Sequence, residues 1–587
     1  MVETKKIKLS IDGMEAIVDN GMTVMEAADS VGIHIPRLCY HPSLSTLGAC
    51  RICIVEVEGM RNPVASCCFK AAEGMNVKTC SPRLRKLRRD IVGLLLGNHP
   101  KDCNACERNG NCELQYLAYS LGVRDRLFEG ERRRIARDKS SVAVIRDLEK
   151  CILCGRCIRV CAEVQGVSNL CQQFRGFDNI VSTAHCMPMA DSVCIHCGQC
   201  VNVCPTGALI ENSQTDHVLD ALADPDTFVV VQTAPSIRAA VGEGFGYEPG
   251  TPVTGKMVTA LRMMGFDRVF DTNFGADMTI VEEADEFLTR FKSGEKLPLI
   301  TSCSPGWISF MERFYPELMP NTSTCKSPMG MLSTLIKTHY AEKEGIDPKK
   351  IYVVAIMPCT AKKFEAGRAE HLAPWGKPYT DAVLTTRELI WLAKSLHVDF
   401  KHLEDGEFDS PMGISSGAAT IFGATGGVME AALRTAYEKI TGKECVNLDF
   451  VDVRGVEGVK SASLNIEGTV INVAVANGLQ NAKSLLDKVL SGEREYHLIE
   501  VMACPGGCVG GGGQPYPPDG MYVLDPELIK LRAKALYSID AEQKLRKSHE
   551  NPDLIKLYAE FLGEPNGKKS HELLHTTYVA REPRGVR

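Results

Sequence analysis

The sequence predicts a multidomain chain of the α+β and α/β classes, and three observations support this. The chain has 587 residues, which exceeds what one hydrophobic core organises and suggests about four domains of roughly 150 residues each. It contains 25 cysteines, many of them in closely spaced runs, and in a chain without a secretion signal such runs indicate metal binding rather than a disulfide scaffold. From Phe228 onward, apolar strands alternate with helical segments, as in open α/β sheets.

Charge and hydropathy exclude several classes of partner. The formal net charge is −6, with acidic and basic residues interspersed, so the balance indicates neither a nucleic-acid footprint nor a polybasic membrane patch. The N-terminal stretch MVETKKIKLSIDG has no apolar core of a signal peptide, and no window reaches the roughly 18 uninterrupted apolar residues of a transmembrane helix. We expect an unexported, cytoplasmic chain that lacks a transmembrane segment and binds no nucleic acid.

The N-terminal region begins like a β-grasp fold. Residues 5 to 20 predict two short strands about an Asp12-Gly13 turn, followed by a helix from Thr23. Five cysteines follow: Cys39, Cys50, Cys53, Cys67 and Cys68. Three thiolates on a loop, with a fourth after a later strand, suit a two-iron cluster with four cysteine ligands. The fourth ligand is one of the adjacent pair.

A second module follows a basic amphipathic helix predicted over residues 83 to 97. It offers one imidazole and three thiolates: His99, Cys103, Cys106 and Cys112. Ligand chemistry alone favours a structural zinc site with three cysteine ligands and one histidine. A four-iron cluster is the alternative.

Two CxxCxxCxxxC runs follow, and each has the spacing of bacterial ferredoxins, in which the fourth cysteine of each run ligates the other cluster. One predicted ligand set is Cys151, Cys154, Cys157 and Cys204, and the other is Cys194, Cys197, Cys200 and Cys161. Between the runs, Cys171, His185 and Cys186 could be extra ligands, but we expect core thiols there. Residues 211 to 226 are charged and contain proline, which suggests a linker.

Three loops of the α/β region carry the remaining chemistry. They are TSCSPGW with Cys303, MPCTAKKFE with Cys359, and EVMACPGGCVGGGGQP with Cys504 and Cys508. Glycines without a Cβ let the backbone approach a bulky inorganic group, although a flexible loop with two ordinary thiols is the alternative. IFGATGGVMEAALR, near residue 420, is predicted to be a closely packed strand-to-helix turn, since no dinucleotide-binding fingerprint occurs in the chain.

These three loops resemble, in order, the signature motifs of iron-iron hydrogenases, and the upstream modules resemble those of modular hydrogenases and of the large iron–sulfur subunit of respiratory NADH dehydrogenase. The likeness covers essentially the whole chain and is greatest to the large catalytic subunit of multi-subunit NAD(P)-linked hydrogenases. It implies five domains, the fourth with two α/β lobes. They are a two-iron ferredoxin-like domain (1–80), a four-iron module with one histidine and three cysteine ligands (81–120), a two-cluster ferredoxin domain (140–212), an iron-hydrogenase catalytic domain (226–526) and a small-subunit-like region (527–587).

The resemblance also implies the cofactors: one 2Fe-2S cluster, with Cys67 preferred over Cys68, three accessory 4Fe-4S clusters, and an H-cluster. The H-cluster is a four-iron cubane joined through a thiolate to a two-iron unit that carries CO, cyanide and an azadithiolate. Cys359 and Cys504 would hold the cubane and Cys508 the bridge, and the glycines would leave room for the two-iron unit. The residues implied around that unit are Lys362, Pro235 and Ser236 near the cyanides and Met357 and Met502 near the carbonyls.

The family's proton relay consists of a cysteine, a serine and two glutamates one helical turn apart. Glu283 and Glu286 have the required i, i+3 spacing, with Ser323 as the hydroxyl, although a solvated acidic face would look the same. The first motif departs from the family, because only Cys303 is a cysteine and Ser304 stands where the cubane ligand belongs. Either Cys303 is the ligand, and Ser304, Cys325 or water relays protons, or Ser304 coordinates through oxygen. A thiol is the better ligand, so we expect Cys303 to ligate.

The implied function is interconversion of H2 with protons and electrons, with the accessory clusters as the electron path. Because the chain has no flavin or nicotinamide motif, the resemblance implies a flavoprotein NAD(P)-dehydrogenase subunit and a small two-iron subunit as partners. Ferredoxin, through electron bifurcation, is a further candidate. The alternatives are a hydrogenase subunit linked to formate dehydrogenase and a slow H2-sensing or electron-relay subunit.

Overall fold

A computed structural model describes residues 5–125, 127–518 and 520–581. The outermost residues of the first and last predicted domains therefore lie outside the described part. Within the described ranges, no helix has both the length and the apolar character needed to cross a membrane.

The N-terminal domain has the predicted β-grasp start. Its sheet has the order β2-β1-β5-β3-β4, in which β1 pairs antiparallel with β2 and parallel with β5. The Thr23 hydroxyl accepts a hydrogen bond from the Glu26 N–H and the Glu26 carboxylate accepts one from the Thr23 N–H, a capping box that fixes the helix start. The elements are β1 (Lys6–Ile11), β2 (Met14–Asp19), α1 (Val24–Ser30), β3 (Ile54–Val57), β4 (Val64–Ala65) and β5 (Asn76–Lys78).

Two helices form the next module, α2 (Pro82–Asn98) and α3 (Glu113–Ser120). The Ser81 hydroxyl accepts from the Leu84 N–H and caps α2. The buried Arg88 guanidinium donates to the carbonyls of Ile52 and Ile54, at 3.2 and 2.7 Å. These bonds attach α2 to the strand that follows the Cys50–Cys53 loop.

The two-cluster ferredoxin region is built on short elements. They are β6 (Val144–Arg146), α4 (Arg156–Arg159), β7 (Cys171–Gln173), β8 (Ile180–Ser182), α5 (Gln199–Asn202) and β9 (Leu209–Glu211). Strands β6 and β9 pair antiparallel. Cys171 is half-buried in β7, whereas Cys186 is exposed, so the expectation of a core thiol is wrong for Cys186.

The linker predicted over residues 211 to 226 is also wrong. Residues Thr215–Ala223 form helix α6, whose buried residues include Val218 and Ala221. The Gln214 side chain accepts a hydrogen bond from the Val383 N–H at 2.8 Å. In HVLDALA, apolar residues recur at helical spacing between charged ones. They form a face that packs against the α/β core, so the segment is not a free linker.

The α/β region contains two four-stranded sheets. The first, β11-β10-β13-β14, is wholly parallel, and the second, β12-β17-β16-β15, is parallel except for the β15–β16 pair. The strands are β10 (Phe228–Thr233), β11 (Arg268–Asp271), β12 (Leu299–Ile300), β13 (Ile351–Met357), β14 (Ala382–Thr385), β15 (Val459–Ile466), β16 (Thr469–Asn477) and β17 (Leu498–Met502). The helices are α7 (Thr254–Met263), α8 (Thr272–Ser293), α9 (Pro305–Phe314), α10 (Pro328–Leu335), α11 (Ala341–Glu344), α12 (Ala361–Ala366), α13 (Thr386–Ser395), α14 (Gly417–Thr420), α15 (Gly427–Thr441) and α16 (Leu479–Leu490).

Helix α8 lies between the two lobes. Its Phe274 and Met278 pack in the core that includes strands β10 and β13, whereas Ile280 and Phe287 pack in the core of the second sheet. With 22 residues, the helix spans about 33 Å. A helix buried on both sides is a rigid support for any side chain that it directs at the gap between the lobes.

The turn near residue 420 is closely packed but has no strand before it. Short helix α14 precedes it, and a Cβ on Gly427 would meet the Ile421 carbonyl oxygen at 1.8 Å. The strand-to-helix prediction is therefore wrong and the close-packing prediction is confirmed.

Three helices complete the chain and pack on the α/β region. They are α17 (Pro526–Glu542), α18 (Pro552–Leu557) and α19 (Lys568–Leu574). Leu554 and Leu574 are buried in the same core as Phe274. Arg434 of α15 donates to both oxygens of Asp540 in α17, at 2.9 and 2.8 Å.

Candidate active site

A buried cavity lies where five strands of the two sheets end. Strands β10, β11, β12, β13 and β17 all direct their carboxyl ends towards it, and the residues that follow them line it. Its empty volume is about 770 Å³. The crevice beyond the carboxyl ends of parallel strands is where open α/β sheets bind their ligands.

Three cysteines and a lysine meet on this cavity. Cys359 follows β13, and Cys504 and Cys508 follow β17. The Cys504 and Cys508 thiols both lie close enough to Cys359 to interact electrostatically, and Cys508 also to Lys362. Three converging thiols beside a cation form a donor set that fits an anionic iron–sulfur group.

The glycines of the EVMACPGGCVGGGGQP loop allow close backbone packing in addition to leaving room for a cofactor. A Cβ on Gly511 would meet the Pro358 carbonyl oxygen at 2.2 Å, and a Cβ on Gly512 would meet the Cys197 carbonyl oxygen at 2.0 Å. These distances are shorter than any packed carbon tolerates. The glycines thus bring the loop into backbone contact with the Cys359 loop and with the ferredoxin region.

Cys303 and Ser304 both line the cavity but have different neighbours. The charged groups closest to the Cys303 thiol include Glu283, Cys508 and Lys362. The Ser304 hydroxyl instead accepts a hydrogen bond from the Ala503 N–H at 3.3 Å, next to Cys504. Ser304 also precedes the first turn of α9, whose N-terminus favours a neighbouring anion. Cys303 is therefore influenced by both Glu283 and Cys508, whereas the Ser304 hydroxyl is bonded to the backbone next to Cys504.

Lys362 is held by a small buried network. Its Nζ donates to the Ser327 hydroxyl at 2.7 Å, lies 2.6 Å from a Glu365 oxygen, and reaches the Cys303 carbonyl oxygen at 3.4 Å. The Lys362 charge holds the pKa of the buried Glu365 carboxyl below its usual value despite burial. The ammonium is therefore compensated and oriented at the cavity wall.

The other predicted contact residues also surround the cavity. Pro235, Met357 and Met502 line it, and Ser236 is fully buried, with its hydroxyl 3.4 Å from the Gln514 amide nitrogen. Sequence reasoning did not identify three further wall residues, Thr272, Met329 and Phe422. They come from separate elements and carry no local motif, so no single-sequence signal marks them.

The predicted relay residues form a connected chain. Ser323 lies close enough to Glu283 to lower the pKa of that carboxyl, and it donates to Glu286 at 2.8 Å. Glu286 lies 2.6 Å from Arg290, and Glu283 has the largest electrostatic effect of any charged group on the Cys303 thiol. Because Glu283 is 2% exposed, the interpretation of these glutamates as a solvated acidic face does not apply to it.

Glu283 is tuned to hold a proton near neutral pH. Burial, followed by the Glu286 charge, raises the pKa of Glu283 to about 8. Its Oε1 atom is buried and has no hydrogen-bond partner within the described part of the chain. Burial and the Glu283 charge likewise raise the pKa of the Cys303 thiol. A neutral carboxyl and a neutral thiol can pass a proton between them when they come within hydrogen-bonding distance.

Four thiols of the N-terminal domain meet in one place. Cys67 lies within hydrogen-bonding reach of Cys39 and Cys53, and the Cys50 N–H donates to the Cys39 sulfur at 3.5 Å. Cys67 is fully buried, whereas Cys68 is exposed, with its sulfur 3.6 Å from that of Cys67. The buried four-thiol group includes Cys67 and fits a two-iron cluster.

The His99 module shows a histidine suited to metal binding. Burial lowers the pKa of His99 to about 4, so its imidazole is neutral, the form that ligates metals. Its buried Nδ1 atom has no hydrogen-bond partner among the described residues. Cys106 and Cys112 lie close enough to interact electrostatically, and Cys103 begins the turn that ends at Cys106. The donor set fits zinc or a four-iron cluster equally.

The crossed ferredoxin ligand sets each line a cavity. One cavity, of about 440 Å³ empty volume, is bounded by three cysteines of the first run and the last of the second: Cys151, Cys154, Cys157 and Cys204. The other, of about 380 Å³, is bounded by the complementary set Cys161, Cys194, Cys197 and Cys200. Four converging thiols around an enclosed space fit a four-iron cluster at each site.

The second of these cavities adjoins the catalytic one. Cys197 borders both of them. The Gln199 amide donates to the Gly510 carbonyl oxygen at 2.9 Å and hydrogen-bonds the Cys504 thiol, while Asn202 donates to Gly511 at 3.2 Å. Helix α5 therefore fixes the ferredoxin region directly on the glycine loop.

Comparison with known protein families gives five matches along the chain. Residues 227–512 match the iron only hydrogenase large subunit, C-terminal domain, and residues 526–581 match the iron hydrogenase small subunit. Residues 4–82 match a 2Fe-2S iron-sulfur cluster binding domain, 88–126 the NADH-ubiquinone oxidoreductase-G iron-sulfur binding region, and 191–210 a 4Fe-4S binding domain.

Similar proteins cover nearly the whole chain. It is 49% identical to the NADP-reducing hydrogenase subunit HndD of Solidesulfovibrio fructosivorans, over 98% of this chain and 99% of that protein. It is 41% identical to iron hydrogenase 1 of Clostridium pasteurianum, over 97% and 99%. A solved structure of a variant of [FeFe]-hydrogenase HydA1 from Chlamydomonas reinhardtii is similar with a TM-score of 0.57 and 42% identity, over 64% of this chain and all of that one. The chain therefore belongs to the iron-only, or [FeFe], hydrogenase family.

Proposed function

We propose that this hydrogenase catalytic subunit interconverts H2 with protons and electrons in the cavity between the two lobes. One observation supports this most directly. Three thiols and Lys362 meet in the cavity, with the Glu283–Ser323–Glu286 chain leading away on one side and Cys197 bordering it on another. Protons and electrons would thus reach this cavity along separate routes through the protein.

Cys359, Cys504 and Cys508 would hold the H-cluster, with Cys508 as the bridge between its two parts. When bound, that group supplies the redox chemistry that joins two protons and two electrons into H2. The protein would hold it in an enclosed space, away from bulk water, and Lys362 would offer a positioned cation at the cavity wall. Pro235, Ser236, Met357 and Met502 would shape the remaining wall.

For the first motif, the geometry supports Cys303 as the relay thiol and Ser304 as the side chain that faces the cubane. Burial and the Glu283 charge raise the pKa of the Cys303 thiol, which keeps it neutral and able to donate a proton. Ser304 lies beside Ala503 and Cys504, where the fourth cubane ligand belongs. This assignment reverses our expectation that Cys303 is the ligand.

Protons would pass between Cys303, Glu283, Ser323 and Glu286. Glu283 can donate at neutral pH because its pKa is raised to about 8. The Ser323 hydroxyl donates to Glu286 and lies near Glu283, so it could accept a proton from the Glu283 carboxyl while it donates its own to Glu286. Arg290 keeps Glu286 in place for this exchange.

Electrons would use four accessory clusters: one two-iron cluster, one His-ligated four-iron cluster and the two ferredoxin clusters. The N-terminal modules are the distal end, and Cys197 is the proximal end, at the catalytic cavity. The likeness of residues 88–126 to the NADH-ubiquinone oxidoreductase-G region favours iron over zinc at His99.

The partners we propose are a flavoprotein NADP-dehydrogenase subunit and a small two-iron subunit, with ferredoxin as an additional electron carrier, all in the cytoplasm. The name of the HndD relative, an NADP-reducing hydrogenase subunit that this chain matches from end to end, supports this. Residues 526–581, which match the iron hydrogenase small subunit, belong to this chain and are not the small two-iron partner.

Affinity purification of the native chain under anaerobic conditions tests the partner. We expect a flavin-containing subunit to copurify and the isolated complex to evolve H2 from NADPH. Copurification of a molybdenum or tungsten formate dehydrogenase, without any NADPH-linked activity, would contradict the NADP assignment.

A further inference from the structure

Glu286, the outer carboxylate of the relay, has a partner that the relay does not use. The Thr324 hydroxyl lies 3.3 Å from Glu286 Oε1 and 2.8 Å from Nδ1 of His575. The Thr576 N–H donates to the Thr324 carbonyl at 2.8 Å, in a short bridge that also pairs Cys325 with His575. The small-subunit region therefore supplies an imidazole to the proton path of the catalytic domain.

The other ring nitrogen of His575 is also engaged. Nε2 lies 3.2 Å from Oε2 of Glu282, a carboxylate that is fully buried in α8. Glu282 accepts further hydrogen bonds from the Tyr558 hydroxyl and from the Asn566 N–H, at 2.7 Å for the latter. A charged imidazolium at His575 would thus have a compensating anion in direct contact, so the site can hold a proton without an unpaired buried charge.

Arg290 cannot serve in the same way. It lies 2.6 Å from Glu286, but a guanidinium stays protonated in proteins and has no acceptor atom, so it orients the carboxylate without carrying a proton onward. Histidine, by contrast, changes charge between about pH 5 and 8 and has a nitrogen on each side of its ring. Of the two side chains, only His575 can both take and return a proton.

The imidazole of His575 is buried but touches an exposed residue. Its side chain is 1% exposed, and its ring stacks on that of the exposed His571, with centroids 4.5 Å apart. Glu286 itself is 11% exposed at its side chain, so water reaches it independently. Proton transfer between Glu286 and His575 would therefore operate alongside direct proton exchange between Glu286 and water.

We propose that Thr324 and His575 form a second arm of the proton relay, in which His575 stores a proton for Glu286 and returns it during turnover. The carboxyl proton of Glu286 moves to the Thr324 oxygen as the Thr324 hydroxyl proton moves to Nδ1 of His575. The products are a Glu286 carboxylate, an unchanged Thr324 hydroxyl and a His575 imidazolium paired with Glu282. H2 evolution uses the reverse transfer. The proposal rests on the Glu283–Ser323–Glu286 relay.

The pH range of this arm depends on every charged or titratable group that faces His575. From α8 these are Glu282, Asp285, Glu286 and Arg290; from the other elements they are Cys325, Lys326, Tyr558, His571 and Tyr578. Carboxylates and cations are both present around the ring, so the test is whether the pH profile has a limb that depends on His575.

Two variants remove the arm in different ways. His575→Asn keeps an amide near Nδ1 but cannot store a proton, and Thr324→Val removes the connecting hydroxyl at nearly constant volume. His549→Asn is the matched control, because His549 has the same arrangement, with Nδ1 3.0 Å from the Thr435 hydroxyl and Nε2 2.7 Å from Glu438, and it lies outside the relay. Ser323→Ala tests the main relay itself.

Each full-length, H-cluster-loaded variant is assayed for H2 evolution with reduced viologen between pH 5.5 and 8.5, in H2O and in D2O. Cluster EPR spectra are recorded alongside as a check on the fold. We expect His575→Asn and Thr324→Val each to lower kcat by up to about tenfold, below the roughly 10²-fold of an essential acid or base. Both should remove the same limb of the pH profile and raise the solvent isotope effect, whereas the His549→Asn profile should match the unmodified protein.

The double variant should be no slower than either single one, because both substitutions interrupt one path. The second arm is refuted if both single variants keep the kcat, pH profile and isotope effect of the unmodified protein while Ser323→Ala is impaired. If Ser323→Ala also keeps full activity, the main relay is wrong, and the second arm is refuted with it.

Discussion

At the scale of single residues, we propose that the adjacent pair Cys303 and Ser304 divides two tasks that the family assigns to two cysteines. Cys303 lies next to Glu283, and Ser304 next to Ala503 and Cys504. The sequence alone favoured Cys303 as ligand because a thiol binds iron better than a hydroxyl. Only the backbone between β12 and α9 determines which side chain points to which side, and that geometry supports the opposite assignment.

Cys303→Ala tests this division. We expect H2 evolution to fall at least 10²-fold because the proton carrier nearest the cluster is lost. The EPR signal of the cubane should be unchanged in protein whose H-cluster site holds the cubane without the two-iron unit. Loss of the cubane signal in this variant, with Ser304→Ala retaining it, would restore Cys303 as the ligand.

The pKa of Glu283 gives a pH dependence. The group is protonated below about pH 8 and ionises above it, so its capacity to donate should decrease as pH rises through that value. We predict that viologen-driven H2 evolution declines between pH 7 and 9. Glu283→Gln should lower kcat by about 10²-fold or more at every pH. A variant that retains most of its activity would show that protons reach Cys303 another way.

At the scale of elements, the glycine loop and helix α5 determine how closely the ferredoxin region approaches the catalytic cavity. The cysteine spacing predicted which residues converge there, because the ligands of each cluster are close together in sequence. The reason for Gly511 and Gly512 could not be predicted, because the atoms that a Cβ would strike belong to distant loops.

Gly512→Ala should push these loops apart, since its Cβ would meet the Cys197 carbonyl oxygen at 2.0 Å. We expect slower reduction of the H-cluster from the accessory clusters, measured by rapid-freeze EPR, and a lower unfolding temperature. Gly130→Ala is the control, because no atom lies within 4 Å of the position that its Cβ would occupy. Equal rates in the two variants would argue against tight packing at this contact.

At the scale of the whole molecule, Arg387 joins three regions. Its guanidinium donates to Glu211 of β9 at 2.8 Å, to Asn202 of α5 at 2.9 Å and to the Gln514 carbonyl at 2.6 Å. None of these partners is near Arg387 in sequence, so the sequence alone could not predict this contact between the regions. The domain order and cluster types were predictable because each module has its own local motif.

Arg387→Ala should weaken this joint by about 3–5 kcal/mol, because Glu211 would keep a poorly compensated, largely buried charge. We expect faster proteolytic release of the ferredoxin region, monitored by limited proteolysis. Arg387→Lys retains the charge without the planar fork, so it should give an intermediate rate. A release rate in Arg387→Ala equal to that of the unmodified protein would show that other contacts hold the regions together.

The most direct test of the account is H2 evolution by the purified full-length chain after its H-cluster has been installed, with reduced viologen as the electron donor. We predict sustained catalytic turnover that is lost in Cys508→Ala, while the accessory-cluster EPR spectra of that variant remain unchanged. Negligible turnover by the loaded, unmodified protein, with intact cluster spectra, would contradict the catalytic assignment and favour a sensing or electron-relay role.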